Sequence, residues 1–157
     1  MLSTDTHTTA RVPERRNRSR DMIKAMVVAR KDTLSLYARL GELRPNGSNT
    51  ASVFDLLQRF CQALIDYTAR AHFQLYQHIE EKTERRAEVL EVAERIYPRI
   101  AELTQVIVDF NDKYDCEPHA DNLRQLATDL SELGAALKNR VELEDQLIKV
   151  LCRDCVI

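Results

Sequence analysis

From Leu123 onward, leucines recur at alternating intervals of three and four: Leu123, Leu126, Leu130, Leu133 and Leu137, with Val141, Leu147 and Leu151 continuing the seam. That is the period of one face of an α-helix, and it is sustained over about 30 residues, or roughly 45 Å of helix. A helix of that length with one apolar stripe must bury the stripe against other long helices. Three further segments offer partners. Met22, Met26, Leu36 and Leu40, flanked by Val27, Ala29 and Tyr37, mark a first helix capped near Ser19 and ending before the loop-forming run Leu43-Arg44-Pro45-Asn46-Gly47-Ser48. Leu57, Cys61, Leu64, Thr68, Ala71 and Leu75 mark a second, from about Ser52 to Glu81. The third runs from about Glu84 to Tyr114, with a short turn expected over residues 82–86 before it. Pro98 inside it removes a backbone donor and clashes with the preceding turn, so a kink or break is expected near Tyr97. The acidic stretch Asp112 to Asp121, with Pro118, reads as a loop. The expected fold is all-α: an up-and-down bundle of four long helices forming one domain over residues 19–157.

Composition agrees. Three Gly and four Pro in 157 residues are too few for the frequent turns of an all-β chain. No apolar run approaches the roughly 20 residues that span a bilayer, and the first twenty residues lack an apolar signal segment. These features point to the cytoplasm, away from membranes, with reduced cysteines. Residues 1–18 carry no hydrophobic period and read as a disordered basic arm. Residues 1–20 hold five Arg against Asp5 and Glu14, a balance of +3; with a net charge of −2, the remainder carries −5. An acidic body is poorly suited to phosphate backbones and well suited to a basic protein partner, so no direct nucleic-acid binding is expected.

The second helix has a second face. At about 100° per residue, Leu57, Ala71 and Leu75 fall within about 20° of Leu64. Phe73 falls about 180° away, with Asp66 and Gln62 within about 20° of it and Ala69 about 40° away. An outward aromatic beside a carboxylate is the pairing of anchor and charge that protein-binding surfaces use. A neighbouring segment of the same chain covering Phe73 is the alternative.

Phe60-Cys61-Gln62-Ala63-Leu64-Ile65-Asp66-Tyr67, then Ala69, His72-Phe73 and Tyr76, resembles the signature of the Rsd/AlgQ family, the regulators of sigma D. The likeness continues through Ala93-Glu94-Arg95-Ile96-Tyr97-Pro98-Arg99-Ile100, Asp109-Phe110-Asn111-Asp112 and Val141 to Ile148. The resemblance implies a bundle that binds region 4 of the primary sigma factor of RNA polymerase and sequesters it, favouring alternative sigma factors. Carried over by matching position, Asp66 is the principal acid, with His72, Phe73 and Tyr76 near it. Arg70 and Ala71 depart from the family, which tends to have a small residue and then Gly there; Arg70, one turn from Asp66, belongs to the same face and is placed to pair with the acid and weaken its pull on a basic partner. Lys24-Ala25-Met26 stands where the family usually has an Asp-Arg-Trp run. The alternative is a regulatory adaptor for another protein, such as a phosphocarrier or a stress-signalling enzyme.

No enzymatic chemistry and no cofactor are expected. Cys152-x-x-Cys155 lacks the βα setting of a redox motif. Joining it to Cys116 and His119 in one zinc site would require the two ends of the fourth helix to meet. Glu-x-x-His, the inward pair of di-iron bundles, does not occur. Glu142, Glu144 and Asp145 read as a solvated or partner-facing acidic end.

Overall fold

The computed structural model describes residues 6–43, 50–77, 85–115 and 120–152, and of residues 6–17, 19, 120 and 121 the backbone alone. Among the described residues there are four α-helices: α1 Thr6–Glu42, α2 Thr50–Ala71, α3 Ala87–Tyr114 and α4 Ala120–Leu151. Beyond Ala71, α2 continues as a π-helical turn, His72–Tyr76. Among the described residues there is no strand. The first helix packs chiefly on the second and the third chiefly on the fourth, so the bundle is two helical hairpins. They join mainly through α2 and α3. The expected turn segments lie largely outside the described residues.

One boundary differs from the expected one. The first helix begins at Thr6 rather than near Ser19, and its backbone runs through the segment read as a disordered arm. Once residues 22–42 are packed the nucleus exists, so the Arg, Glu and Ala of the added turns extend it without a new nucleation step, and they offset Pro13 among them, which gives up a backbone donor. The third helix passes Pro98 without a break. Pro98 is solvent-exposed while Ile96 and Ile100 on either side are buried, so packing holds both halves in one helix and the orphaned carbonyl can meet water.

The apolar seams meet in one core, with Leu57, Phe60, Leu64, Ile107 and Leu147 at 0% exposure. At one end an aromatic row crosses the bundle. Tyr37 of α1 meets Phe60 of α2 (ring centroids 6.1 Å apart), Phe60 meets Phe110 of α3 edge-on (5.9 Å), and Phe110 lies 4.7 Å from Tyr114. Both ends of the row fasten to α4: the Tyr37 hydroxyl donates to the Leu130 carbonyl (2.8 Å), and the Tyr114 hydroxyl to Asp129 (2.5 Å). Lys113 also reaches Asp129 (2.7 Å). Burial would raise the Asp129 carboxyl, but the hydrogen bonds from Lys113 and Tyr114 prevail and hold it below its ordinary value.

Gly134 is what lets Tyr37 lie across α4. A β-carbon there would stand 2.0 Å from the Tyr37 hydroxyl and 2.7 Å from Cζ. In an isolated helix Gly→Ala gains about 1 kcal/mol. Here Gly134→Ala is expected to lower stability by about 1–3 kcal/mol, because the ring must leave its place and its hydrogen bond. Denaturant unfolding of the variant checks this; a gain in stability would show that the ring repacks freely.

Candidate partner-binding face and buried polar centre

The outer face of α2 is arranged as helical geometry requires. Leu57, Leu64, Ala71 and Leu75 are buried. Gln62, Asp66, Ala69, Arg70 and Phe73 are exposed, Phe73 at 54%, so the first helix does not cover the ring. Gln62 donates to Asp66 (3.2 Å), which steadies the carboxylate in solvent. Among the described residues Arg70 forms no ion pair with Asp66. His72 is half-buried, with its ring edge-on to Phe73 at 5.4 Å. On α1, Lys24 and Ala25 face solvent and Met26 is fully buried.

Tyr76 stands apart from the strip. It is only 3% exposed, packed edge-on against Tyr97 of α3 (6.1 Å), and burial pushes its hydroxyl well above the ordinary tyrosine range. The cause is the π turn, closed by the Gln77 amide donating to the His72 carbonyl. A π turn holds one residue more than an α turn, which sets everything beyond it back by about 100°. Regular helix would leave Tyr76 about 120° from Leu64; the set-back brings it to about 20°, on the core face.

Behind the strip lies a second group of functional side chains that the apolar seams conceal. Arg140 and Glu144 of α4 occupy seam positions and are 1% and 0% exposed, so Glu144 is a core residue rather than part of a solvated acidic end. Arg140 donates from Nη1 to the Thr104 hydroxyl of α3 (3.0 Å) and lies over the Tyr67 ring of α2 (5.6 Å). Its Nε is 3.5 Å from Glu144 Oε1, too poorly aligned for a hydrogen bond. The Tyr67 hydroxyl donates to the same Oε1. From α1, buried Arg30 pairs with Asp145 at 2.9 Å. The stripe expected on α1 is therefore corrected: Met22 is 45% exposed, and the seam runs through Ile23, Met26, Arg30, Thr33 and Leu40. The Thr33 hydroxyl donates to the Ala29 carbonyl (2.8 Å) and lies 3.1 Å from the Ala63 carbonyl across the helix pair.

Cys61 is buried and free, and burial pushes its thiol up to about 12, leaving it unreactive. Cys152 is disulfide-bonded, against the expectation of reduced thiols. That expectation rested on the redox state of a compartment, which does not decide which sulfurs the fold brings together. Residues 116–119 and Cys155 lie outside the described residues. Among the described residues no three His, Cys, Asp or Glu side chains are grouped to hold a metal ion, and no helix is long and apolar enough to cross a membrane.

Residues 6–152 match the family described as regulator of RNA polymerase sigma(70) subunit, Rsd/AlgQ. The chain belongs to the Rsd/AlgQ family. It is 32% identical to the Regulator of sigma D of Yersinia enterocolitica serotype O:8 / biotype 1B over 134 residues, covering 83% of this chain and 80% of that protein. It is 32% identical to the Regulator of sigma D of Shigella dysenteriae serotype 1 over 137 residues, 86% of each chain. Against the protein of the same name from Salmonella paratyphi B it is 31% identical over 140 residues, covering 88% of this chain and 86% of that one. No solved structure matches. The first part of the match, from Thr6, includes the stretch of α1 that composition alone reads as an arm.

The buried carboxyl gives the fold a pH dependence. Burial raises Glu144 to about 8; Arg30 pulls it down and Asp145 pushes it up, and burial prevails. Its Oε2 meets no donor among the described residues, which disfavours the ionised form further. Between the unfolded value near 4.5 and about 8, the folded chain keeps a proton that the unfolded chain has lost. Stability is therefore expected to fall as pH rises through this window, by at most about 1.4 kcal/mol per pH unit. Glu144→Gln, neutral throughout, flattens that slope. Unfolding curves of both proteins at about pH 5, 6, 7 and 8 measure it; equal slopes would show that another group carries the dependence.

Proposed function

We propose that this chain is a cytoplasmic, non-enzymatic regulator of transcription that binds region 4 of the primary sigma factor and holds it away from RNA polymerase. What supports the reading is the exposed strip Gln62, Asp66, Ala69, Arg70 and Phe73 in a chain of the Rsd/AlgQ family. Region 4 reads promoter DNA with a basic helix-turn-helix surface. An acidic body attracts such a surface over distance, a carboxylate at the contact selects it, and an aromatic ring supplies apolar area. Phe73 has little role in the core, since more than half of it meets solvent. In this reading His72 supports the ring, while Tyr76 acts from inside, anchoring in the core the turn that presents Phe73.

Two substitutions test it. Asp66→Lys is expected to weaken binding to a purified region 4 fragment by about 1–3 kcal/mol while leaving stability within about 0.5 kcal/mol. Phe73→Ala is expected to weaken binding by at least about 1 kcal/mol, again with little loss of stability, because no cavity opens in the core. Calorimetric titration paired with thermal melting reads both. Parent-like affinity of Asp66→Lys at low salt would remove Asp66 from the interface. No binding by the parent would move the strip to a different protein partner.

A further inference from the structure

Between the end of α2, α3 and α4 lies an open cavity of about 270 Å³, on the inner side of the π turn. Arg140 and Thr104 lie deep in it, Tyr76 and Tyr97 line it, and Ala101 and Gln105 are at its solvent edge. The two buried polar atoms of its lining that lack a partner can both donate. The Thr104 hydroxyl proton goes to the Ile100 carbonyl (2.7 Å), and that of Thr68, also in the lining, to the Leu64 carbonyl (2.7 Å). The Tyr76 hydroxyl and the Arg140 Nε, both on nearly fully buried residues, have no partner among the described residues. Arg140 makes one hydrogen bond, to Thr104, although a guanidinium carries five N–H donors. Its contact with Glu144 does not satisfy Nε. A buried cation beside an idle hydroxyl calls for an anion.

The rest of the lining narrows the class. Ile100, Ala101 and the rings of Tyr76 and Tyr97 form an apolar wall. The volume far exceeds the roughly 30 Å³ share of a water molecule and would be left mostly unfilled by an inorganic oxyanion. We propose that this cavity binds a small organic carboxylate, its head held by Arg140 and Tyr76 and its body against Ile100, Ala101 and Tyr97. The planar fork of arginine matches a carboxylate, and the hydroxyl supplies a further donor. Such a site does not depend on the outer strip's partner being a sigma factor.

The test uses the full chain, with benzoate as probe, benzyl alcohol as its neutral counterpart and inorganic phosphate as the compact anion. Titrations followed by amide NMR shifts are expected to saturate with benzoate, with shifts centred on Tyr76, Tyr97, Ala101 and Arg140. Benzyl alcohol and phosphate are expected to bind at least about tenfold more weakly. Tyr76→Phe, which removes only the idle hydroxyl, should weaken benzoate binding about fivefold or more. Ala101→Leu, at the exposed edge, should abolish binding while melting like the parent. Absence of saturation, equal affinity for benzyl alcohol, tighter binding of phosphate, or parent-like binding by Ala101→Leu would each overturn the proposal.

Discussion

Glu144 is the constraint on which the bundle turns. It is a fully buried carboxyl reached by Tyr67 from α2 and by Arg140 from its own helix, with Thr104 of α3 holding Arg140. One residue further along α4, Asp145 takes Arg30 from α1. Each helix thus gives at least one side chain to the same polar region. Apolar seams with a three-four spacing pack about as well after a slide of one turn, roughly 5.4 Å. The polar groups do not, since a slide strands a buried charge at a cost of several kcal/mol. The leucine rows drive the helices together, and the polar centre selects one register among those the rows allow.

A second lock works at the aromatic end. There Tyr37 crosses from α1 to α4 over Gly134, and Tyr114 closes on Asp129. The first helix shares its main interface with α2 and only a slight one with α4, so the Tyr37 hydroxyl and the Arg30–Asp145 pair are its named polar ties to the far hairpin. Held at both levels, α2 is a rigid support. Its π turn then does what regular helix would not: Leu75 and Tyr76, adjacent in sequence, both enter the core, while Phe73 remains outside.

Fold class and the two faces of α2 were legible because both follow from helical period. Leu64 and Phe73 are nine residues apart, half a turn out of phase at the regular helical advance, and Phe73 comes too early in the π turn to lose that outward position. The polar seam was not legible. A search for apolar residues at three-four spacing passes over Arg30, Thr33, Arg140 and Glu144, since each alone reads as surface. The signal was nonetheless there: Leu133, Leu137, Arg140, Glu144 and Leu147 keep the spacing without a gap, so the two charged residues had to point inward with the leucines. Tyr76 was misplaced for a different reason. Helical arithmetic assumes a constant advance per residue, and a single π turn breaks it without any Pro or Gly to announce it. The helical backbone before Ser19 had no apolar signature either, because propagation from a packed segment needs no buried face.

Asp66 and Glu144 show why one acid serves the fold and the other is free for a partner. Glu144 sits where water is excluded, so its charge is disfavoured and its neighbours are organised around it. Asp66 is solvated and touched by Gln62 alone among the described residues. Such a carboxylate contributes little to stability, because a surface charge in high dielectric interacts weakly. The same charge becomes strong only when an incoming surface removes the water around it and supplies a cation, which raises the interaction several-fold as the effective dielectric drops. An exposed acid beside an exposed ring, on a helix whose opposite face is locked into the core, thus holds its interaction energy in reserve for binding rather than for folding.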